Sequence, residues 1–336
     1  MEKQSVEIEG LSIGYQDKKR RHVVAEGISG RLCGGELTCL LGANGVGKST
    51  LLRTLAAFQP RLSGSIYVNE ENIDRYSDKQ RARIISVVLT ERAMPQNLTV
   101  FELVGLGRTP YTGFWGGLSA EDAAVVSQAL DWVGIRLLEQ KSVHNLSDGE
   151  RQKVMIAKAI AQETPVIYLD EPTAFLDYPS KIETMRLLHR LSRETGKVIF
   201  LSTHDMDMAL QLADKVWLMQ QGGTLCIGTP EDLALQGVLS TFFPADDVVF
   251  DEATGLFRIA NACHSHIQLA ETEGVRASML RKALARDGIQ ATQAEAAGRL
   301  SIAWGETSEY RLRCADGTVL TLPTIGALME AIRQRL

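Results

Sequence analysis

The chain has 336 residues, 45% hydrophobic and 23% charged, the balance of a soluble globular protein with room for one large or two ordinary domains. A formal net charge of -5 argues against a polyanion-binding protein. Five scattered cysteines without paired spacing point to a reduced compartment, no apolar run approaches the ~18 residues of a membrane span, and Met1-Glu2-Lys3-Gln4 is too polar for a signal peptide.

In chain order, Val6 to Ile13 alternates as a half-exposed strand, Lys18-Lys19-Arg20-Arg21 reads as a solvated turn, and Val23 to Ile28 as a second strand. The apolar run before Gly42 then enters Gly42-Ala43-Asn44-Gly45-Val46-Gly47-Lys48-Ser49, followed by a helical run from Thr50 to Ala56. A Gly-x4-Gly-Lys-Ser segment between strand and helix is a phosphate-binding loop in its confirming context. Its glycines let successive amides and a helix N-terminus face an anion, Lys48 reaches the outer phosphates, and the Ser49 hydroxyl ligates Mg2+. Strands are expected at Ile66–Val68 and Ile84–Leu89, the second after a charged helix.

From Thr99 the pattern turns helical. A short helix begins at Val100, and a break follows from Arg108 to Gly117 with three aromatics. Ser119-Ala120-Glu121-Asp122 starts another helix, with Asp122 at the third helical position of a capping box. Ser147 begins a helix through Ala161. Val166-Ile167-Tyr168-Leu169 is a fully buried strand ending in Asp170-Glu171. Asp170 sits at the carboxyl end of that strand, where ligands bind in such sheets, and can hold Mg2+ through water. Glu171 is then placed to polarise an attacking water as general base. A helix from Ser180, the strand Val198–Leu201, a helix from Met206 and the strands Val216–Met219 and Thr224–Ile227 complete an α/β sheet with helices on both faces.

Between the two halves, Leu146-Ser147-Asp148-Gly149-Glu150 opens a helix with a serine cap and a small glycine, able to meet a further phosphate. In this order, the motifs resemble the ATP-binding subunit of ABC transporters over about residues 1–240. The resemblance implies a P-loop ABC ATPase core with an antiparallel β subdomain and a helical subdomain at about 92–162. It places Tyr15 at the adenine-stacking position and Gly42, Asn44, Gly45, Gly47, Lys48, Ser49 and Thr50 in the Walker A motif. Ser147 and Gly149 fall in the signature, Asp170 and Glu171 end Walker B, Asp177 belongs to the D-loop, and His204 is the switch histidine. The implied cofactors are ATP and Mg2+.

Two departures stand out. The signature reads Leu-Ser-Asp-Gly-Glu where the family commonly has Leu-Ser-Gly-Gly-Gln, with Asp148 expected to point away from phosphate. Glu91 aligns with the family's strand-ending glutamine and could reach Mg2+ or water; Gln96 is the alternative if the loop is shifted. The resemblance further implies a head-to-tail dimer of two copies with ATP at the interface, integral membrane permease subunits as partners, and a peripheral position at the cytoplasmic face of the cell membrane. Leu98 to Tyr111 and Trp115 to Asp122 are similar to importer ATPases for iron-siderophores, haem and vitamin B12, which act with a substrate-binding protein. Tyr111, Phe114 and Trp115 are candidate permease anchors, with a local core as the other reading. A non-transport ABC ATPase acting on nucleic acid or the ribosome is the alternative. One cassette, no long heptad run and an acidic balance speak against it, and no nucleic acid is expected.

Residues 241–336 form an expected accessory α+β domain. It contains hairpins at 248–259 and 310–322, strands near Ile267 and Ile302, and helices at Ala277–Arg286 and from Ile325. Cys263-His264-Ser265-His266 lacks the ligand count of a closed metal site, and no metal is assigned to it.

Overall fold

A computed structural model describes residues 4–17, 20–89, 97–113, 116–220, 222–242, 248–252, 254–271, 273–292, 300–304 and 309–335. Glu91, Gln96, Phe114 and Trp115 lie outside the described residues. The chain divides into two compact units, Met1–Pro244 with Phe250–Phe257, and Ala245–Val249 with Arg258–Leu336.

The first unit opens with two long strands, β1 (Ser5–Asp17) and β2 (Arg20–Cys33). Next come β3 (Leu37–Gly42), α1 (Lys48–Leu55), β4 (Ser63–Val68), β5 (Glu71–Asn72), α2 (Asp78–Arg81) and β6 (Ile85–Val88). Three helices follow: α3 (Val100–Gly105), α4 (Ala120–Trp132) and α5 (Asp148–Ala161). The chain then alternates through β7 (Val166–Asp170), α6 (Tyr178–Thr195), β8 (Val198–Ser202), α7 (Met206–Leu212), β9 (Lys215–Met219) and β10 (Leu225–Gly228). Two short helices, α8 (Pro230–Leu235) and α9 (Val238–Phe242), precede the hairpin β11 (Val248–Asp251) and β12 (Leu256–Ile259).

Two sheets result. One is antiparallel, in the order β2-β1-β4-β5; the other has six strands in the order β10-β9-β3-β8-β7-β6, parallel except for β10. The strands of the second sheet are mostly apolar because successive side chains face opposite sides and both sides are covered. Cys39, Ile167, Leu169, Ile199, Leu201 and Leu218 face a core shared with α3 to α7. Leu40, Tyr168, Phe200 and Trp217 face the opposite core, shared with Leu51, Leu52 and Leu55 of α1 and with Val6, Ile8 and Ile66 of the antiparallel sheet. Thus the second face is covered by one helix and a sheet, where sequence periodicity suggested helices on both sides. The helical start at Ser119 is a capping box with Asp122, as its spacing indicates.

The elements that periodicity did not reveal, β5, α8, α9 and β14 (Ile289–Thr292), are each six residues or fewer. Of these α8 left a legible signal, since Thr229 caps it and Pro230 occupies its first turn. The hairpin packs through Phe250 and Phe257 on the core under α3 to α7.

The second unit has its own core. β13 (Ser265–Leu269), α10 (Gly274–Arg286), β14, β15 (Ser301–Trp304), β16 (Tyr310–Arg313), β17 (Val319–Leu322) and α11 (Ile325–Arg333) follow in sequence. The sheet order is β14-β13-β15-β16-β17, and Ile267, Leu280, Leu284, Ile302, Leu312 and Leu328 are buried together. Cys263 and His264 precede β13 and are exposed, as is His266; among the described residues no group of three or more His, Cys, Asp and Glu is placed to hold a metal.

Candidate functional site

β3 is buried along its whole length and delivers Gly42 to a loop that closes at the start of α1. Gly47 has φ of +115°, and a Cβ there would lie 2.4 Å from a Val24 methyl, so both conformation and space demand glycine. Lys48 is buried, and its ammonium donates to the carbonyls of Gly42 at 2.8 Å and Ala43 at 3.2 Å. Burial pulls its pKa down, opposed by the nearby charges of Glu171 and Asp170. The ammonium is therefore held at the loop, with acidic groups close by. Ser49 donates its hydroxyl to Asp170 Oδ1 at 2.9 Å, bringing two of the expected Mg2+ ligands together. Tyr15 is half-exposed, and its hydroxyl lies 3.1 Å from Thr50 Oγ1, which ties the aromatic ring to α1.

Asp170 and Ser202 are register partners at the carboxyl ends of parallel β7 and β8. Ser202 Oγ donates to Asp170 Oδ1 at 2.7 Å and accepts the Glu171 N–H at 3.0 Å; the same N–H also reaches the Ser202 carbonyl at 3.2 Å. These contacts hold Glu171 at φ +48°, a left-handed conformation that costs an acidic side chain about 1–3 kcal/mol. Its Oε2 lies 2.9 Å from His204 Nδ1. Asp205, next along, caps α7 by accepting the Met208 N–H and pairs with Lys181 of α6 at 3.1 Å. Sequence reasoning missed Ser202, Lys181 and Asp205. Ser202 was the most legible of them, a hydroxyl directly after an apolar strand and two residues before His204.

The second half of the arrangement is the start of α5. Ser147 caps it by accepting the Glu150 N–H at 3.2 Å, and Glu150 accepts the Ser147 N–H at 2.8 Å. That backbone bond holds the Glu150 carboxyl below its usual range, helped by Lys141 at 3.3 Å. Glu150 in place of glutamine therefore completes a capping box. Asp148 is exposed and bound to Arg151 at 3.0 Å, directed along its own helix. A Cβ on Gly149 would stand 3.4 Å from Ser180 Oγ, and Asp177 caps α6 through the Ser180 N–H, so the signature and the loop before α6 adjoin. Among the described residues no hydrogen bond joins Ser147 or Gly149 to the loop at 42–50.

Of the three aromatics proposed as anchors, only Tyr111 is described, and it is used internally. The guanidiniums of Arg108 and Arg83 lie over its ring, 4.1 Å and 4.9 Å from the centroid, and its hydroxyl donates to the Gln162 carbonyl at 3.1 Å. Arg108 is itself buried and paired with Asp122 at 2.8 Å and Glu163 at 2.6 Å. The local-core reading fits Tyr111.

The chemistry available is that of polyphosphate binding and hydrolysis. Hard oxygen donors, the Ser49 hydroxyl and the Asp170 carboxylate, suit Mg2+ and stand beside a loop that accepts anions. Next to them Glu171 is oriented by His204.

A family model described as "ABC transporter" matches residues 25–174. An uncharacterised ABC transporter ATP-binding protein of Methanocaldococcus jannaschii is 39% identical over 253 residues, 75% of this chain and 86% of that protein. The iron(3+)-hydroxamate import ATP-binding protein of Bacillus subtilis is 34% identical, covering 74% of this chain and 92% of its own length. Among solved structures, one from Clostridium perfringens that is part of an ABC transporter complex matches with a TM-score of 0.60 and 30% identity, covering 70% of this chain and 92% of the other.

Proposed function

The chain belongs to the ATP-binding subunits of ABC transporters, and from that premise we propose that it powers uptake of a metal chelate such as an iron-siderophore or haem, or of cobalamin. It binds ATP and hydrolyses it. The observation that carries the reading is the convergence on Asp170 of Ser49 from the phosphate loop and Ser202 from β8, with the Glu171–His204 pair adjoining. The names of import relatives support the cargo class: besides the hydroxamate importer, the ferric enterobactin transport ATP-binding protein of Escherichia coli is 33% identical over 73% of this chain.

In this reading Gly42 to Thr50 wraps the phosphates, with Lys48 exchanging its loop carbonyls for phosphate oxygens, and Tyr15 stacks on adenine. Ser49 and Asp170 hold Mg2+, which supplies charge neutralisation to the phosphates. Glu171 accepts the proton of the attacking water, His204 keeps its carboxylate oriented, and Glu91 assists from the segment after β6. Ser147, Gly149 and Asp177 serve the nucleotide of a second copy, and the closeness of Gly149 to Ser180, whose N–H Asp177 accepts, puts them on one surface. Closure of two copies on ATP then drives membrane permease subunits at the cytoplasmic face, fed by a substrate-binding protein. No helix among the described residues is long and apolar enough to cross a membrane, consistent with a peripheral subunit. The accessory domain, expected at 241–336, corresponds to the second unit, Ala245–Val249 with Arg258–Leu336, because Phe250–Phe257 fall in the first.

Purification of the tagged full chain from its own cells in mild detergent, with mass spectrometry of what accompanies it, tests the proposal. A stoichiometric polytopic membrane protein is the expected result. Ribosomal proteins or nucleic acid without a permease would overturn it in favour of a non-transport ATPase.

A further inference from the structure

Outside the nucleotide site, the first unit contains a cavity of about 610 Å3, bounded by α7, α8, α9 and the β11–β12 hairpin. Its size falls within the ~300–1,000 Å3 of small-molecule sites. Leu210, Pro230, Leu239, Phe250 and Leu256 make its walls apolar. The only charged residues lining it, among the described residues, are Glu231 and Glu252, and neither has an ion pair there. Both glutamates are exposed, so among the described residues an apolar chamber edged by two carboxylates and lined by no cation repels anions and favours a positively charged guest.

The cavity also has a mechanical connection. Asp207 on α7 accepts the Phe257 N–H of the hairpin at 3.3 Å, and the rings of Phe250 and Phe257 stand edge to face at 5.3 Å. α7 starts two residues after His204, and Asp205 fixes its first turn to Lys181. Whatever occupies the space between hairpin and α7 therefore bears on the segment that orients Glu171. Phe250–Phe257 of this hairpin belong to the first unit, and from Arg258 the chain continues in the second.

We propose that this cavity is a regulatory site for a small amphipathic cation, an apolar or aromatic body carrying one positive charge, whose binding is coupled through α7 to the nucleotide site. The coupling needs only that the chain binds ATP, so it stands whether or not the cargo assignment does. Because coupling between sites is reciprocal, the cation's affinity reports it directly.

The test uses the full chain and two probes of the same shape and opposite charge, tetraphenylphosphonium and tetraphenylborate, with binding measured by titration calorimetry. The phosphonium is expected to bind at least about tenfold more tightly than the borate. Ala234→Trp, which fills the chamber from α8, should weaken phosphonium binding by about tenfold or more, and Leu256→Trp from the facing wall should do the same. Each variant is checked for unchanged ATP binding. The Glu231→Gln, Glu252→Gln double variant should abolish the preference between probes. A saturating non-hydrolysable ATP analogue should shift phosphonium affinity by about threefold or more. Equal binding of the two probes, or phosphonium binding indifferent to both tryptophan variants, overturns the site; equal affinity with and without nucleotide overturns its regulatory role.

Discussion

Ser202→Ala removes a hydroxyl that is fully buried and serves two partners at once. Its bond to the Asp170 carboxylate is short, 2.7 Å, and a hydrogen bond to a charged group contributes about 1.5–3 kcal/mol. The Glu171 N–H keeps the Ser202 carbonyl at 3.2 Å, so that loss is partly offset. A net cost of about 2–3 kcal/mol follows, or a Tm lowered by about 4–12 °C at about 2–4 °C per kcal/mol for a unit of this size. Of the two hydroxyls bound to Asp170 among the described residues, that of Ser49 remains. Loss of a group that orients a metal ligand typically costs about 10–100-fold in metal affinity, so the Mg2+ concentration giving half-maximal ATP turnover should rise at least about tenfold. Ser86→Ala is the control. Ser86 is equally buried in the same parallel sheet, but its partners, the Thr164 hydroxyl at 3.0 Å and the Val166 carbonyl at 3.5 Å, are neutral. It should cost about 1 kcal/mol and leave the Mg2+ dependence alone. Thermal unfolding and turnover against Mg2+ concentration read both variants. Equal Tm shifts with unchanged Mg2+ dependence in Ser202→Ala would refute the assignment of that hydroxyl to Asp170.

Glu171→Gln keeps a hydrogen-bonding side chain beside His204 but removes the proton acceptor; ATP turnover should fall by about 10²–10⁴ with nucleotide binding and dimer formation retained, and wild-type-like turnover would remove Glu171 from the base role. Lys181→Met frees Asp205 at the first turn of α7. It should lower kcat by about tenfold with little change in KM, and Lys181→Arg should restore most of it; a rise in KM at constant kcat contradicts this positioning role. The Asp122 carboxyl is pulled down to about 2, first by the Ser119 hydroxyl and then by Arg108. A depressed carboxyl stabilises the fold above its unfolded pKa and loses that contribution as pH falls through its folded one. Acid unfolding of Asp122→Asn should therefore be flatter than wild type as pH falls from about 4 to about 2, and identical slopes there would refute the pairing.

Every motif that can be written as a short run of neighbours was legible in the sequence. The loop at Gly42–Ser49 and the acidic pair ending the run Val166–Leu169 are local patterns, and so are the Ser147 and Ser119 caps. Their geometry depends on residues a few positions apart, and the side-chain alternation of a buried strand follows from backbone pleating alone. The second unit's hairpin at Asp316-Gly317 belongs to the same class, with Gly317 at φ +84°. Local patterning failed for very short elements such as β5 and α9, and for contacts that join distant stretches. Ser49 meets Asp170 across 121 positions and Tyr111 meets Gln162 across 51, and the hairpin at Phe257 reaches Asp207 across 50. None of these pairings has a periodic signature, because each is fixed by strand order in the sheet and by how helices pack on it. Residue type and spacing thus determined the family and the chemistry. Tertiary packing decided that Tyr111 is engaged by Arg108, Arg83 and the Gln162 carbonyl and that Ser202 holds the Asp170 carboxylate. It also decided that the hairpin lies on the helix following His204, since burial and hydrogen-bond satisfaction are properties of neighbours in space rather than in sequence.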